Sequence, residues 1–152
     1  MSDFLIRPVV PEDYAQWLPL WRAYNAFYGR SGATALPDIV TETAWARFLD
    51  PVEPMSALVA IKDGMIAGLA HYLFHRSTSA IEMSCYMQDL YTLEAQRGQG
   101  IARGLIEAVY EAARQAGTSR IYWHTHETNR TAQKLYDKIA QKSGFIVYRK
   151  VL

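Results

Sequence analysis

A chain of 152 residues, half of them apolar and a fifth charged, can bury about 70% of its unfolded surface around one core and is too apolar to stay disordered. Sixteen basic residues against fifteen acidic ones leave a formal charge of +1, without the strongly basic field that marks a nucleic-acid binder. No stretch approaches the roughly 20 apolar residues that span a bilayer, and the N-terminus lacks a basic lead into an apolar run, so the expectation is one cytoplasmic domain over residues 1–152 with no nucleic-acid or membrane partner.

Phe4-Leu5-Ile6-Arg7 ahead of Pro8 predicts a short strand, and Pro11-Glu12-Asp13 a turn into a helix with acidic residues in its first turn. Trp17, Leu20, Trp21, Tyr24 and Phe27 or Tyr28 recur at three and four, so the helix should run to about Tyr28 with one aromatic face, stopped by Gly29 and Gly32. Thr41 to Leu49 predicts a shorter helix closed by Asp50-Pro51. The period then changes, and Ala57 to Ile61 and Ile66 to Ala70 flank Asp63-Gly64 as a hairpin whose second strand reaches about Phe74. From Ile81 to Thr92 residues alternate, with Ile81, Met83, Cys85 and Met87 on one face of a long half-buried strand. Cys85, the only cysteine, is read there as a small core residue, and His71 and His75 as surface or strand-packing histidines.

A glycine-rich turn leads into a helix striped by Ile101, Leu105, Val109, Ala112 and Ala116 and ended by Gly117. Arg120 to His124 predicts a strand, Thr128 or Asn129 caps a helix containing Ala132, Leu135, Tyr136 and Ile139, and Gly144 to Val151 predicts a final strand. The class is α/β, a mixed, mostly antiparallel twisted sheet of about six to seven strands with about four flanking helices. Only the step from the strand ending at Thr92, through the helix, to the strand near Ile121 has the length of a parallel crossover.

The chemistry begins at Gln96-Arg97-Gly98-Gln99-Gly100-Ile101-Ala102-Arg103-Gly104, where a strand gives way to a helix. Backbone N–H groups without helical partners and the positive end of the helix suit an anion such as phosphate. Gly98 and Gly100 allow close approach, and Arg97 and Arg103 add charge; the plainer reading is a tight turn solvated by its arginines. The spelling excludes a Walker loop, since no Gly-Lys-Ser/Thr follows, and a dinucleotide GxGxxG, since Arg103 stands at its third glycine.

Arg97, Gly100 and Ala102 spell Arg-x-x-Gly-x-Ala, which resembles the acetyl-CoA signature of the GCN5-related N-acetyltransferase (GNAT) family. Leu90-Tyr91-Thr92 upstream and Asn129-x-x-Ala132-x-x-Leu135-Tyr136 downstream fall in the family's order, so the likeness covers about two-thirds of the chain. Gln88 to Thr92, Tyr122 to Asn129 and Leu135 to Lys138 are similar to the subgroup that acetylates histone tails, polyamines or free amino acids and forms dimers or higher oligomers.

The resemblance implies direct transfer of acetyl from acetyl-CoA to a primary amine on a polyamine, a protein lysine or histone tail, or an amino acid. It implies that Leu90, Tyr91 and Thr92 meet the pantetheine arm as an added strand would, and that Arg97, Gly98, Gln99, Gly100, Ile101, Ala102, Arg103, Gly104 and Asn129 contact the cosubstrate. It places an oxyanion donor at a strand N–H around Leu90 or Tyr91. Tyr136 takes the position of the acid that serves the leaving thiolate, its alternative being core packing. The amine must lose a proton first, and Asp89, Glu127, His124 and His126 are the nearby candidates, with Asp89 and Glu127 foremost. The aromatic face of the first helix is core or subunit contact, part of which lines the amine pocket in the family. No metal is required. The competing class is a binding module for acyl-CoA or a nucleotide that does not turn over.

Overall fold

The computed structural model describes residues 3–152. Five strands, β1 (Phe4–Pro8), β2 (Met55–Lys62), β3 (Met65–His75), β4 (Ser84–Thr92) and β5 (Ile121–Tyr122), lie side by side in chain order. The first three junctions are antiparallel and the last is parallel, as the one long crossover requires. Four α-helices cover the sheet: α1 (Tyr14–Phe27), α2 (Asp38–Leu49), α3 (Ile101–Gln115) and α4 (Arg130–Ile139).

Apolar periodicity decides which face each helix covers. Trp17, Leu20, Trp21 and Tyr24 of α1 and Trp45 of α2 bury against Val59 and Leu69 on one face. Ile101, Leu105, Ile106, Val109 and Ala113 of α3 bury against Leu58, Ala70, Cys85 and Met87 on the other, where Leu135, Tyr136 and Ile139 of α4 also pack. The buried stripe of α3 ends at Ala113, while Ala116 is exposed, because 3.6 residues per turn carry the core face one position beyond the expected Ala112. Cys85 is fully buried, as expected, and burial pushes its thiol up to about 11.

Two local devices set the layers. Asp13 accepts hydrogen bonds from the Arg7 guanidinium at 2.7 and 2.9 Å and from the Val10 N–H at 2.9 Å, which ties the end of β1 to the start of α1 and holds the carboxylate below its ordinary range. Asp63 and Gly64 both take positive φ, 50° and 75°, the primed turn that matches strand twist in a two-residue hairpin.

Several expectations are corrected. The sheet has five strands rather than six or seven. Residues 144–151 form no strand, and Phe145 and Tyr148 are 88% and 89% exposed. A strand needs a neighbouring ladder, and these residues pair with none; β5 itself is two residues long instead of the five expected from Arg120 to His124. β4 starts at Ser84, with Ile81 97% exposed, so the alternation there is not burial. Helix α2 begins at Asp38, directly after Pro37, three residues before the expected Thr41.

Gly68 of β3 carries the close approach of α3 to the sheet. A Cβ there would stand 2.9 Å from Ile101 Cγ2 and 3.1 Å from both Leu105 Cδ1 and the Tyr91 carbonyl. Gly68→Ala is expected to destabilise the fold by about 1–3 kcal/mol, the range for overpacking. At about 2–4 °C per kcal/mol for a chain of this size, thermal denaturation reads that as a lowered Tm, and an unchanged Tm would show that the layers yield freely.

Candidate active site

A slot in the sheet organises the site. β4 and β5 pair only at Cys85 with Ile121 and Tyr86 with Tyr122. Beyond Tyr86 the two chains part, so Met87 to Thr92 present an edge without a strand on it, and Leu90, Tyr91 and Thr92 lie along that edge as expected. Unpaired backbone groups of this kind accept an extended ligand as an additional strand.

At the end of β4 the chain makes a short 3-10 turn (Glu94–Gln96) and enters α3 through Gly98 and Gly100, with φ of 78° and 84°. A Cβ at either glycine would meet no atom within 4 Å, so they are required by backbone angle and by whatever approaches from outside. Among the described residues, the N–H groups from Gly98 to Arg103 donate to no protein acceptor. The buried hydroxyl of Thr92 also has no partner among them. Arg97 folds back over the strand: its Nε donates to the Thr92 carbonyl at 3.1 Å, and its guanidinium lies 5.6 Å from the Tyr91 ring centre. This concave set of N–H groups at a helix N-terminus fits a diphosphate.

Not every expected contact joins that set. Gly104 already donates its N–H to the Gly100 carbonyl, and a Cβ on it would stand 2.9 Å from Phe4. It is a packing glycine, needed where α3 crosses β1. Ile101 offers only its N–H, since its side chain is buried under Gly68. Gln99 bonds Lys62 and Gln96, and Arg103 pairs with Glu107 at 3.1 Å. Asn129 caps α4, its side chain accepting from the Ala132 N–H.

On the α1–α2 face, a β-bulge changes which way an acid points. His71 stands opposite Asp89 but Tyr72 opposite Met87, leaving Gln88 as the extra residue. Cys85 and Met87 pack toward α3; past the bulge Leu90 takes that side, and Asp89 turns to the other. There His71 Nδ1 lies 2.9 Å from Asp89 Oδ2, and the Trp17 indole donates to His71 Nε2 at 3.0 Å. An indole N–H can only donate, so Nε2 is the acceptor and the ring proton sits on Nδ1, donated to Asp89. All three side chains are buried, and Asp89 Oδ1 is left without a partner among the described residues.

Asp89 and His71 line a cavity of about 330 Å³ between α1, α2 and the sheet, walled by Trp21, Leu36, Phe48 and Leu73, with Arg30 also on its lining. Tyr24, its phenol raised by burial and by the charge of Asp89, reaches toward the Gln88 carbonyl at 3.5 Å. Tyr86, Tyr122 and His124 form an aromatic wall beside the slot, with Tyr86 and Tyr122 stacked at 5.0 Å and the Tyr86 hydroxyl 3.2 Å from His124 Nδ1.

Tyr136 sits half-buried on the opposite face, edge-on to Trp123 at 5.4 Å, and burial pushes its phenol up to about 12. Glu127 is exposed on the turn before α4 and lines no part of the cavity that holds Asp89. His126 is exposed too, its Nδ1 2.7 Å from the Thr128 hydroxyl. Of the two readings of His71 the structure takes strand packing, and sequence reasoning missed its bond to Asp89. It also missed Trp17 as a donor and Arg30 altogether. The signal for the first pair was the hairpin register, which a bulge makes unreadable from alternation alone.

An acyl-CoA transferase site is what a diphosphate cradle, an open strand edge and a flanking acid and phenol define together. The chain belongs to the Acetyltransferase (GNAT) family, which matches over residues 17–140. It is 36% identical over 148 residues, 96% of this chain and 89% of the relative, to a D-amino-acid N-acetyltransferase of Saccharomyces cerevisiae. Its fold superimposes on a ribosomal-protein-alanine N-acetyltransferase from Brucella melitensis biovar Abortus 2308 with a TM-score of 0.81 at 20% identity, covering 99% of this chain and 100% of that one. A solved aminoglycoside N-acetyltransferase in complex with CoA gives 0.81 at 17% identity, over 99% of this chain and 96% of that one. The protein is an acetyl-CoA-dependent N-acetyltransferase.

Gly100→Ala places a side chain at a φ of 84°, a left-handed conformation that costs about 1–2 kcal/mol for a non-glycine residue. Calorimetry with coenzyme A is expected to show affinity reduced about tenfold with the far-UV circular dichroism unchanged. Equal affinity would remove this turn from the cradle.

Proposed function

We propose that the protein acetylates the free amine of a small amino acid, with Asp89 receiving the amine's proton and Tyr136 serving the leaving sulfur. One observation carries this reading: the bulge at Gln88 turns Asp89, on the strand that borders the slot, into the lining of a cavity on one face, while Tyr136 stands on the other. The yeast relative, a D-amino-acid N-acetyltransferase, supports the acceptor class. A cavity of about 330 Å³ is small even among small-molecule sites, which favours an amino acid over a histone tail.

The cosubstrate's thioester supplies the activated acetyl group. The cradle from Gly98 to Arg103 holds the diphosphate, with Arg97 adding charge beside it, and the edge at Leu90, Tyr91 and Thr92 holds the pantetheine arm. Asp89, kept in place by His71 and Trp17, draws the ammonium in and accepts one proton through Oδ1. The freed nitrogen forms its bond to the acetyl carbon while the carbon–sulfur bond breaks, its second proton passes through water to the departing thiolate, and Asp89 returns the first proton to solvent. Tyr136, at about 12, remains a donor throughout neutral and mildly alkaline solution. Full proton transfer from it to a thiolate of parent pKa near 8.5 runs uphill, so its main service is a hydrogen bond to the departing sulfur.

Asp89→Asn and Tyr136→Phe are each expected to lower kcat by about 10²-fold, at the low end for acid–base residues, in an assay of thiol release from acetyl-CoA. Affinity for coenzyme A stays within about twofold, since neither residue belongs to the cradle. No rate limb attributable to Tyr136 is expected between pH 7 and 10, because its raised value keeps it protonated there. A fully active Tyr136→Phe would return that residue to core packing.

The proposal includes a homodimer in the cytoplasm, where a lone reduced thiol such as Cys85 is ordinary. Phe145, Ile146, Val147, Tyr148 and Val151 are exposed in an extended arm, and the outer edge of β5 carries no strand. Reciprocal exchange of arms between two copies satisfies both, giving an isologous contact. Light scattering is expected to give twice the chain mass for the full protein and a monomer for a chain ending at Ala140. A monomeric full chain at micromolar concentration would remove the dimer.

A further inference from the structure

We infer that Arg30, braced by the buried Asn25, binds the carboxylate of the acceptor, so that the enzyme acts on free α-amino acids and rejects amines that lack that carboxylate. The inference rests on the reading of Asp89 as the group that meets the amine in the same cavity and adds the group that meets the neighbouring carboxylate.

Arg30 lines the cavity that holds Asp89 and also a neighbouring one of about 350 Å³ between α1 and α2. Its position is fixed. The chain turns at Gly29, with φ of 78°, and the Arg30 N–H returns to the Asn25 carbonyl at 2.9 Å. Arg30 Nε donates to Asn25 Oδ1 at 2.7 Å, while Asn25 Nδ2 donates to the Trp21 carbonyl at 2.8 Å. Asn25 is 4% exposed, so this bracket sits in the protein and not in solvent. Its geometry spends Nε and leaves both terminal nitrogens of the guanidinium open, the fork that meets a carboxylate.

No carboxylate of the described residues lies within 4.0 Å of that guanidinium. The Tyr28 ring, 5.7 Å away, supports it from one side. A half-buried cation held by a buried amide, without a protein anion, faces a cavity whose acidic lining residue is Asp89. The two opposite charges match a zwitterion, ammonium to Asp89 and carboxylate to Arg30, and the apolar walls at Trp21, Leu36, Val40 and Phe48 match an apolar side chain. A polyamine or a lysine within a protein brings a second cation or a neutral amide to Arg30, leaving that end of the pocket unpaired.

The test compares D-phenylalanine, D-phenylalaninamide and phenethylamine as acceptors for the wild-type enzyme, Arg30→Gln and Arg30→Lys. The wild type is expected to turn over the acid with kcat/KM at least about 10²-fold above the amide and the amine. Arg30→Gln lowers the acid to the level of the amide, chiefly through KM; Arg30→Lys restores part of the preference. Equal wild-type rates on acid and amide overturn the carboxylate contact while leaving Asp89 as the amine end, and so does an Arg30→Gln variant that loses both equally. Absence of turnover on all three by wild-type enzyme that binds coenzyme A overturns the amino-acid reading itself. Should Arg30→Gln not fold, the wild-type ratio of acid to amide decides.

Discussion

The early end of the parallel ladder between β4 and β5 is the constraint from which the site follows. Two strands that stayed paired would consume the backbone groups of Leu90, Tyr91 and Thr92 and close the sheet. Because the ladder stops after Tyr86, the sheet has an opening that runs from one face to the other, flanked by α1 and α2 on one side and by α3 and α4 on the other. The unpaired N–H groups of the glycine turn stand at the far end of the same strand, where β4 hands over to α3, so under the proposed reading one strand would align both the pantetheine arm and the diphosphate. Gly68 and Gly104 serve this by letting α3 lie close enough to the sheet for its N-terminus to meet the slot.

The buried polar chain from Trp17 through His71 to Asp89 is the costly part of this architecture. A carboxylate taken out of water loses several kcal/mol of solvation. The structure offsets that with a hydrogen bond from a ring whose proton position is dictated by an indole. The chain is directional: Trp17 donates, His71 relays, and Asp89 accepts, leaving one oxygen for a ligand. Removing either donor leaves the carboxylate less well held, so in the proposed mechanism His71 and Trp17 position Asp89 without touching the reacting atoms.

Much of the fold was legible because its signals are local. The hairpin at Asp63-Gly64, the glycine turn before α3, the cap at Asn129 and the single parallel crossover each depend on a few neighbouring residues, and each formed where expected. The unpaired N–H groups at that glycine turn were legible for the same reason. The acid and its supports were less so. Asp89 was a candidate beside Glu127, and only the bulge, a feature of pairing between two strands, separates a buried acid from an exposed one. His71 lies eighteen positions from Asp89 and Trp17 fifty-four from His71, distances over which spacing carries no information. The arm at residues 144–151 misled for the opposite reason: its β-branched and aromatic run has strand propensity, but a strand forms only against a partner edge.

Placing proton acceptor and hydrogen-bond donor on opposite faces of one sheet has a physical consequence for their charges. Had Asp89 and Tyr136 shared a face, the carboxylate would raise the phenol directly and the phenol would compete with the amine for Oδ1. Tyr24, which does share the face, is raised by burial and then by the charge of Asp89. Tyr136 is raised by burial, with a smaller contribution from Tyr28. Its hydroxyl is therefore a donor whatever the state of the acid across the sheet. In the proposed mechanism the acceptor's proton leaves on the α1–α2 side and the sulfur is met on the α3–α4 side, with the thioester in the slot between β4 and β5.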